Sequence, residues 1–408
     1  MRAALDQSVR DSGGRIRAVL AARFRDLDLA EDAFAEACAR AAEAWPDGGE
    51  PRDPTAWLYR AAFRAALDQQ RRRAVRRRFK PEPPEPEPTA EEGLMDDARL
   101  IPDERLRLIF VCCHPSVAPE ARAALTLKLV CGLSTPEIAR AFLMEEPALA
   151  QRLVRAKRKI AEAGVAFEVP GPERWPERME AVLSTLEIAY AKAHEDAAGA
   201  GPHAGYAEEM LRLTALLARL APRDGQVLAM AALVRYAEAR RPARLDESGA
   251  MTPLSEQDPA LWRRPLIEEA NGYLAEAERL GAESPRALNA AIHGVWCSRR
   301  NLSDPAPWRR VLILYDAMLQ RRDDVVVRLN RAVALAEILG AEAGLAEVSR
   351  LAGPGLARFQ PYHAVRADLL RRVGQRAEAL AAYDAALGLD PAPAERLWLE
   401  RRRQALLG

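Results

Sequence analysis

GLSTPEIARAFLMEEPALAQRLVRAKRKI, from Gly132 to Ile160, has the pattern of two short helices joined by a turn. Ser134 and Glu137 have the spacing of a capping box, in which a hydroxyl and a carboxylate each accept an amide hydrogen bond at the start of a helix. Pro147 suits the first turn of a second helix, because its missing amide is not needed there. We therefore predict two helices with a break at FLMEEP, where Leu143 is expected to be buried.

The second of these helices has one apolar stripe and one polar face. Leu149, Leu153, Ala156 and Ile160 follow a four-three-four spacing, which places them on one side. A braced helix of this kind fits a helix-turn-helix unit that reads the DNA major groove, since Arg can pair with guanine and Gln with adenine while Lys meets phosphates. The alternative is a solvated surface helix. The predicted DNA contacts are Gln151, Arg152, Arg155, Lys157, Arg158 and Lys159.

The composition of the 408-residue chain favours packed helices over strands, since 49% of its residues are apolar and only 6% are aromatic. The formal net charge is +1, so a nucleic-acid surface has to come from local clusters of basic residues. No charge-free run is long enough to cross a bilayer, and the first residues do not resemble a secretory signal. The 5 cysteines have no framework spacing, which suits reduced thiols. We expect a cytoplasmic protein that does not associate with membranes.

The stretch KPEPPEPEP marks the clearest domain boundary. Its prolines remove amide donors and fix φ, so helix is excluded and an extended tether is favoured. Repulsion between the glutamates stretches the tether further. The predicted division is a helical domain at 1–78, a linker at 79–99, a helix-turn-helix domain at 100–166 and a C-terminal helical domain at 175–408.

The C-terminal domain contains a repeat signal in YHAVRADLLRRVGQRAEALAAYDAALGLDP. Small residues at Ala367, Ala379 and Ala386, an aromatic at Tyr383 and the helix stop Pro391 match the pattern of a tetratricopeptide helix pair. Two weaker copies precede it. We predict an all-α fold in which two small helical domains are followed by a stack of tetratricopeptide-like helical hairpins.

Two helices before the tether carry opposite charge. In WLYRAAFRAALDQQRRRAVRRR, Arg60, Arg64, Asp68 and Arg71 share a face at helical spacing, and the arginines continue beyond it. That face is either merely exposed, with an Arg64–Asp68 ion pair and with Trp57 in the core, or it accepts an anion together with the basic cluster from Arg71 to Lys80. The helix DLDLAEDAFAEACARAAEAW is acidic in its early turns and suits a basic protein partner. The loop WPDGGEPRDPTAW separates it from a helix that begins near Thr55. The apolar positions predicted by three- and four-residue spacing before this loop are Ile16, Val19, Leu20, Phe24, Leu29, Ala33, Phe34 and Ala37.

The sequence VCCHP invites interpretation as a metal site, but adjacent cysteines on a helix point about 100° apart. No second Cys/His pair lies at ligand spacing, so buried thiols are expected. No nucleophile or Gly-rich phosphate loop accompanies the histidines. We predict neither an enzyme nor a bound cofactor.

With these features together, the chain resembles an extracytoplasmic-function (ECF) sigma factor of bacterial RNA polymerase, of the subgroup with a long tetratricopeptide-containing extension. DLDLAEDAFAEACARA resembles sigma region 2.2, and DPTAWLYRAAFRAALDQQRRR resembles regions 2.3 and 2.4. The sequence from PDERLRLIFVCCHP through AGVAFEVP resembles region 4 of this subgroup, and ARRPARLDESGAMTPLSEQD resembles its extension. The chain departs from the family at Ala35, where a glutamine is usual, and between Ile188 and Gly205.

The resemblance implies roles for individual residues. Region 2.2 would dock on the β′ clamp helices of core polymerase through Asp28, Asp32 and Glu36. Region 4 would read the −35 duplex and meet the β flap. The single-stranded −10 element would be captured by Arg60, Arg64, Asp68, Arg71 and Arg72.

Three functions follow as hypotheses. The first is a promoter-specificity subunit whose activity is controlled in cis by the extension, with a separate regulatory protein as a further partner. The second is a tetratricopeptide scaffold whose N-terminal half only tethers it to DNA. The third, a plain repressor or activator, leaves the acidic helix and the Arg64 helix without a role.

Overall fold

The computed structural model describes residues 2–49, 51–77, 107–130, 133–142, 144–165, 175–196, 204–351 and 355–408. Within these residues the fold is all-α, as predicted, with one isolated antiparallel bridge between Leu245 and Met251. The chain forms two compact units, residues 1–193 with 202–213, and residues 194–201 with 214–408. The predicted tether at 79–99 lies outside the described residues.

The first unit begins with three helices, α1 (Arg2–Phe24), α2 (Leu27–Gly48) and α3 (Pro54–Arg77). The carboxylate of Asp26 caps α2 by accepting a hydrogen bond from the Leu29 amide at 2.9 Å. A Cβ at Gly13 would meet the Phe34 ring at 2.9 Å, so only glycine allows α1 to approach α2 this closely. Of the predicted apolar positions, Ile16, Leu20, Leu29, Ala33, Phe34 and Ala37 are buried, while Val19 and Phe24 are half-buried.

Helix α2 is longer than its sequence indicates. We expected a loop to begin at WPDGG, yet the helix continues through Pro46 and ends at Gly48. A proline near a helix end leaves the carbonyl four residues earlier without its amide partner. That residue is Ala42, which is exposed, so the cost is small. Gly49, at φ 79°, then ends the helix in a conformation that favours glycine.

The next part of the first unit contains a helix described at 107–112 (α4), then α5 (Pro119–Leu129), α6 (Thr135–Ala141) and α7 (Glu146–Glu162). The predicted pair of helices is confirmed as α6 and α7, with Pro147 in the first turn of α7. The side chain of Glu137 and all of Leu143 lie outside the described residues, so the predicted capping box and the predicted burial of Leu143 are not described.

Helix α8 (Trp175–Asp196) packs against α4. Arg178 donates a hydrogen bond to the Phe110 carbonyl at 2.6 Å, and the Cys113 thiol lies 3.4 Å from the Thr185 hydroxyl, to which it donates. Burial raises the pKa of the Cys113 thiol to about 11, so the thiol stays protonated.

The predicted C-terminal domain begins at residue 175, whereas the division into compact units assigns most of α8 to the first unit. The domain boundaries remain a prediction.

The second unit consists of the end of α9 and the helices that follow it. Their bounds are α9 (Ala204–Leu220), α10 (Gly225–Arg240), α11 (Arg264–Arg279), α12 (Pro285–Cys297), α13 (Trp308–Arg321), α14 (Val325–Leu339), α15 (Ala341–Ser349), α16 (Gln360–Arg372), α17 (Arg376–Leu387) and α18 (Pro393–Leu407). From α10 to α18, consecutive helices pack together. Ala367, Ala379, Tyr383 and Ala386 share one buried cluster, as helix-pair packing requires. The tetratricopeptide assignment itself stays a prediction.

The last helix also contacts the loop between α10 and α11. The Met251 amide donates to the Ala394 carbonyl at 2.9 Å, and Arg401 pairs with Asp246 at 2.6 Å. Arg402 pairs with Glu256 at 3.0 Å. The loop LDESGAMTPLSEQ, which is part of the sequence that resembles the family, therefore anchors the C-terminal helix within this unit.

Candidate nucleic-acid interface

Helix α7 presents the predicted polar face to solvent. Its apolar side is buried through Leu149, Leu153, Ala156 and Ile160, the stripe that the spacing predicted. Burying these four side chains contributes roughly 1.5–3 kcal/mol for each large one, which fixes the rotation of the helix about its axis. The opposite side is exposed at Gln151, Arg155, Arg158 and Lys159, while Arg152 is half-buried at the edge.

Helix α6 braces α7 from behind. Ile138 and Ala139 are buried, and the small Ala139 allows the two helices to cross closely. The turn between the helices is tied down by a hydrogen bond from the Met144 amide to the Ala139 carbonyl at 2.9 Å. This is the construction of a helix-turn-helix unit, in which the second helix is held rigidly enough to enter a groove.

The exposed side chains of α7 differ in what they contact. Gln151, Arg155 and Lys159 make no hydrogen bond or ion pair within the part of the chain that the structure describes. Arg158 pairs with Glu162 one turn later at 2.6 Å, which raises the pKa of Arg158. Both partners are exposed, so this pair separates at little cost when an anion approaches.

Lys157 lies apart from the other predicted contacts. It is about 120° around the helix from Gln151 and only about 40° from the buried Leu153. Its side chain is 15% exposed and its ammonium lies 2.5 Å from the Asp28 carboxylate and 2.8 Å from the Glu31 carboxylate, both on α2. Burial alone lowers the pKa of Lys157, but the hydrogen bonds to these two acids outweigh it, so the pKa is raised.

Helix α3 carries the predicted single-strand contacts on its outer side. These side chains are all exposed and make no hydrogen bond or ion pair with any other described residue; they are Arg60, Arg64, Asp68, Arg71 and Arg72. The expected Arg64–Asp68 pair is therefore not formed. Trp57 packs edge-on against the buried Trp45, with ring centroids 5.7 Å apart, as the core interpretation of Trp57 expects. The residues of the basic cluster after Arg77 lie outside the described part.

The acidic helix α2 carries the predicted polymerase contacts. Asp28 and Asp32 are exposed, and Glu36 pairs with Arg40 at 2.5 Å. Glu31, which was not among the predicted site residues, is the better buried partner of Lys157, with 19% of its side chain exposed. The sequence could have indicated the burial of Glu31. This residue follows the N-cap Asp26 by little more than one turn and lies on the same side of α2 as the buried Leu27.

Val154 is the other residue that the sequence interpretation missed. It is 60% exposed, on the reading side of α7, between the turns that carry Gln151 and Arg158. An exposed β-branched residue inside a polar face departs from the amphipathic pattern, and that departure was the signal. In a major groove an apolar side chain contacts the methyl group of thymine.

The described residues contain no group of three His, Cys, Asp or Glu side chains that could hold a metal ion. In VCCHP both cysteines are buried, and the His114 ring contacts Ser116 at 2.7 Å. No described helix is long and apolar enough to pass through a membrane.

Comparison with known proteins gives three family matches and one close relative. The family description "Sigma-70 region 2" matches residues 9–76, and "Sigma-70, region 4" matches residues 107–160. Residues 178–278 match a "Family of unknown function (DUF6596)". An uncharacterized protein of Rhizobium meliloti (strain 1021) is 38% identical over 370 residues, which cover 90% of this chain and 87% of the relative. No solved structure matches.

The two sigma matches coincide with the two parts of the first unit that carry the exposed basic faces. Region 2 covers α1 to α3, and region 4 covers α4 to most of α7. These regions imply contact with core RNA polymerase and promoter DNA, and the protein is a transcription factor rather than an enzyme. The chain belongs to the sigma-70 family, as an ECF-like sigma factor with a C-terminal extension of the DUF6596 type.

Proposed function

We propose that this sigma factor is of the ECF type and reads two promoter elements with two separate helices. Helix α7 reads the −35 duplex through Gln151, Arg152, Arg155, Arg158 and Lys159, and α3 captures the single-stranded −10 element through Arg60, Arg64, Asp68, Arg71 and Arg72. The observation that carries the proposal is the exposed row Gln151, Arg155 and Lys159, whose donors make no contact with other described residues. Exposed donors on a rigid helix are available to base edges and phosphates.

Binding to core polymerase is assigned to the acidic face of α2, through Asp28, Asp32 and Glu36. An acidic helix face suits a basic partner helix, and Asp28, in the first turn of α2, is also stabilised by the helix dipole. Within this proposal Lys157 does not contact the −35 duplex while it is held by Asp28 and Glu31.

The test is transcription from a promoter of the regulon by purified core polymerase and the full chain. The promoter is found by sequencing transcripts induced on overexpression. The double substitution Arg155→Glu and Arg158→Glu is compared with Arg310→Glu, which changes an exposed arginine of α13 in the second unit. We expect the double variant to lose transcription while still binding core, and Arg310→Glu to retain both. Full transcription by the double variant would refute the assignment and favour the scaffold function.

We further propose that the extension controls the sigma regions in cis. The support is that α8, which begins the DUF6596 match, contacts α4 of region 4 through Arg178 and Thr185. Because α4 and α7 belong to the same compact unit, we expect a change in α8 to alter how firmly the reading helix is held.

The variant Arg178→Ala with Thr185→Val tests this control in the full chain, with Glu180→Ala on the exposed side of α8 as the control. We expect the double variant to change transcript output at unchanged core affinity, and the control to leave it unchanged. Equal output from all three chains excludes control through this contact.

A further inference from the structure

The acidic face of α2 already has an occupant within this chain. Asp28 and Glu31 hold the ammonium of Lys157 at 2.5 and 2.8 Å, so region 2 and region 4 are joined by two ion pairs inside the first unit. The side chains of Lys157 and Glu31 are largely buried by this contact. A lysine rarely gives up its hydration unless anions replace the lost water.

A second contact joins the same two regions. The Arg17 guanidinium on α1 lies over the Phe34 ring at 4.9 Å from its centroid and donates a hydrogen bond to the Leu129 carbonyl at 3.5 Å. Leu129 is the last residue of α5, where helix carbonyls carry partial negative charge and attract a cation. Regions 2 and 4 therefore contact each other through two separate cation sites.

This arrangement places one carboxylate in two roles. Asp28 belongs to the face that we assign to core polymerase, and its side chain is 62% exposed although it pairs with Lys157. A basic helix of another protein would compete with Lys157 for the same carboxylate, because one acid cannot pair fully with both. Asp32, one turn further along, is exposed and makes no such pair, so a partner can begin there.

We propose that Lys157, Asp28 and Glu31 form a latch that holds regions 2 and 4 together in the free protein and that core polymerase opens by competing for the α2 acids. The proposal rests on the assignment of core binding to α2. Opening the latch releases α7 from region 2, so that the two regions separate to reach two promoter elements. Core binding and promoter reading are thereby coupled through one lysine.

The latch is tested by the distance between the two regions in the full chain without polymerase. Spin labels are placed at the exposed Ala44 of α2 and the exposed Ala163 after α7, through ketone-bearing residues that leave the native cysteines unchanged. Pulsed electron resonance then gives the distance distribution. We expect one narrow distribution for the parent chain, and a broader distribution shifted to longer distances for Lys157→Glu and Lys157→Met.

The matched control is Lys159→Glu, which makes the same charge change on the same helix at an exposed residue that pairs with no described side chain. It should retain the narrow distribution. The charge swap Lys157→Glu with Asp28→Lys and Glu31→Lys should restore it. Lys157→Met keeps most of the aliphatic stem, so it separates loss of the latch from misfolding if Lys157→Glu is unstable. An unchanged distribution in Lys157→Met overturns the latch.

Competition with polymerase is a second measurement on the same chains. Lys157→Met should bind core polymerase about fivefold more tightly, since a partly exposed ion-pair cluster contributes about 1 kcal/mol to the closed state. Equal core affinity of Lys157→Met and the parent chain, with the distribution broadened, contradicts competition at α2. If the parent chain binds no core, the proposed function fails, while the distance measurement still decides whether the latch exists.

Discussion

Most of the arginines predicted to contact DNA in the sigma regions make no ion pair with described residues, whereas many arginines of the extension are paired. On α3 and α7 the exposed Arg64, Arg71 and Arg155 make no ion pair with other described residues. In the extension the described arginines are repeatedly paired. Arg331 contacts Asp316 at 2.6 Å and Glu347 at 3.2 Å, and Arg235 is 5% exposed and contacts Glu269 at 2.8 Å.

This difference indicates which charges are available to a ligand. An arginine held by a shielded carboxylate gains little from a phosphate, because one interaction must be broken to make the other, whereas an exposed pair such as Arg158–Glu162 separates at little cost. An exposed arginine without a partner loses no such interaction, and its repulsion from like-charged neighbours is relieved by an anion. The near-zero net charge of the chain thus conceals two groups of arginines, one that stabilises the fold and one that is available to DNA.

The largest expected effect is on stability, at a paired arginine of the extension. Glu238 on α10 is 1% exposed and accepts two hydrogen bonds from Arg241 at 2.7 Å. Arg241→Ala removes both of these hydrogen bonds from a buried carboxylate and should destabilise α10 by about 3 kcal/mol. Hydrogen exchange of the α10 amides measures the loss, with Arg310→Ala as an exposed control that should cost less than about 0.5 kcal/mol. Equal protection in the two variants would show that the Arg241–Glu238 pair does not stabilise α10.

The second effect is on promoter affinity, at an arginine of α7. Arg155→Ala should weaken binding of the holoenzyme to its promoter about tenfold to a hundredfold, the range for loss of a bidentate contact to a base. Exchange of the α7 amides should stay unchanged, because the Arg155 side chain makes no hydrogen bond or ion pair with the residues that the structure describes. Loss of α7 protection without loss of affinity would mean that Arg155 is structural.

The third effect concerns salt dependence. Arg64→Ala and Arg71→Ala should each reduce the slope of log affinity against log salt by about one if each side chain meets a phosphate. Arg328→Ala, which removes a partner of Asp323 in the extension, should leave that slope unchanged. Titration of holoenzyme binding at several salt concentrations separates the exposed arginines of α3 from the paired Arg328 of the extension. Equal slopes for all variants would show that the two kinds of arginine contribute alike to DNA binding.

The smallest effect is a pKa change at one exposed carboxylate. The Ser248 hydroxyl, opposed by partial desolvation and assisted by Arg401, lowers the pKa of Asp246. A lowered pKa stabilises the folded state above the ordinary aspartate value, and that contribution is lost as the pH falls toward the folded-state pKa. Ser248→Ala should raise the pKa of Asp246 toward its ordinary value in a carboxylate nuclear magnetic resonance titration. An unchanged pKa would assign the shift to Arg401 and to the backbone amides of Ser248 and Ala250.

The sequence predicted helical periodicity well and relations between domains poorly. The α7 stripe from Leu149 to Ile160 and the α2 core positions are confirmed, since both follow from 3.6-residue periodicity alone. The loop predicted at WPDGG was wrong up to Gly48, because an exposed last turn tolerates Pro46.

Lys157 shows why the site itself was harder to predict. The charge pattern grouped Lys157 with the other basic residues of α7, although its angle around the helix places it beside Leu153. Its partners Asp28 and Glu31 are more than a hundred residues away in the sequence, and no local pattern brings them together. The packing of α8 on α4 through Arg178 is a contact of the same long-range kind.

The most direct test of the account is photo-crosslinking of the holoenzyme to an open promoter. A photoreactive residue replaces Gln151 on α7, Arg64 on α3 or Arg310 on α13, each of which is exposed. We expect the probe at 151 to crosslink to the upstream duplex element and the probe at 64 to crosslink to the melted strand. The probe at 310 should crosslink to neither. Crosslinks from 310 alone, or none from 151 and 64 in a transcriptionally active complex, would contradict the account.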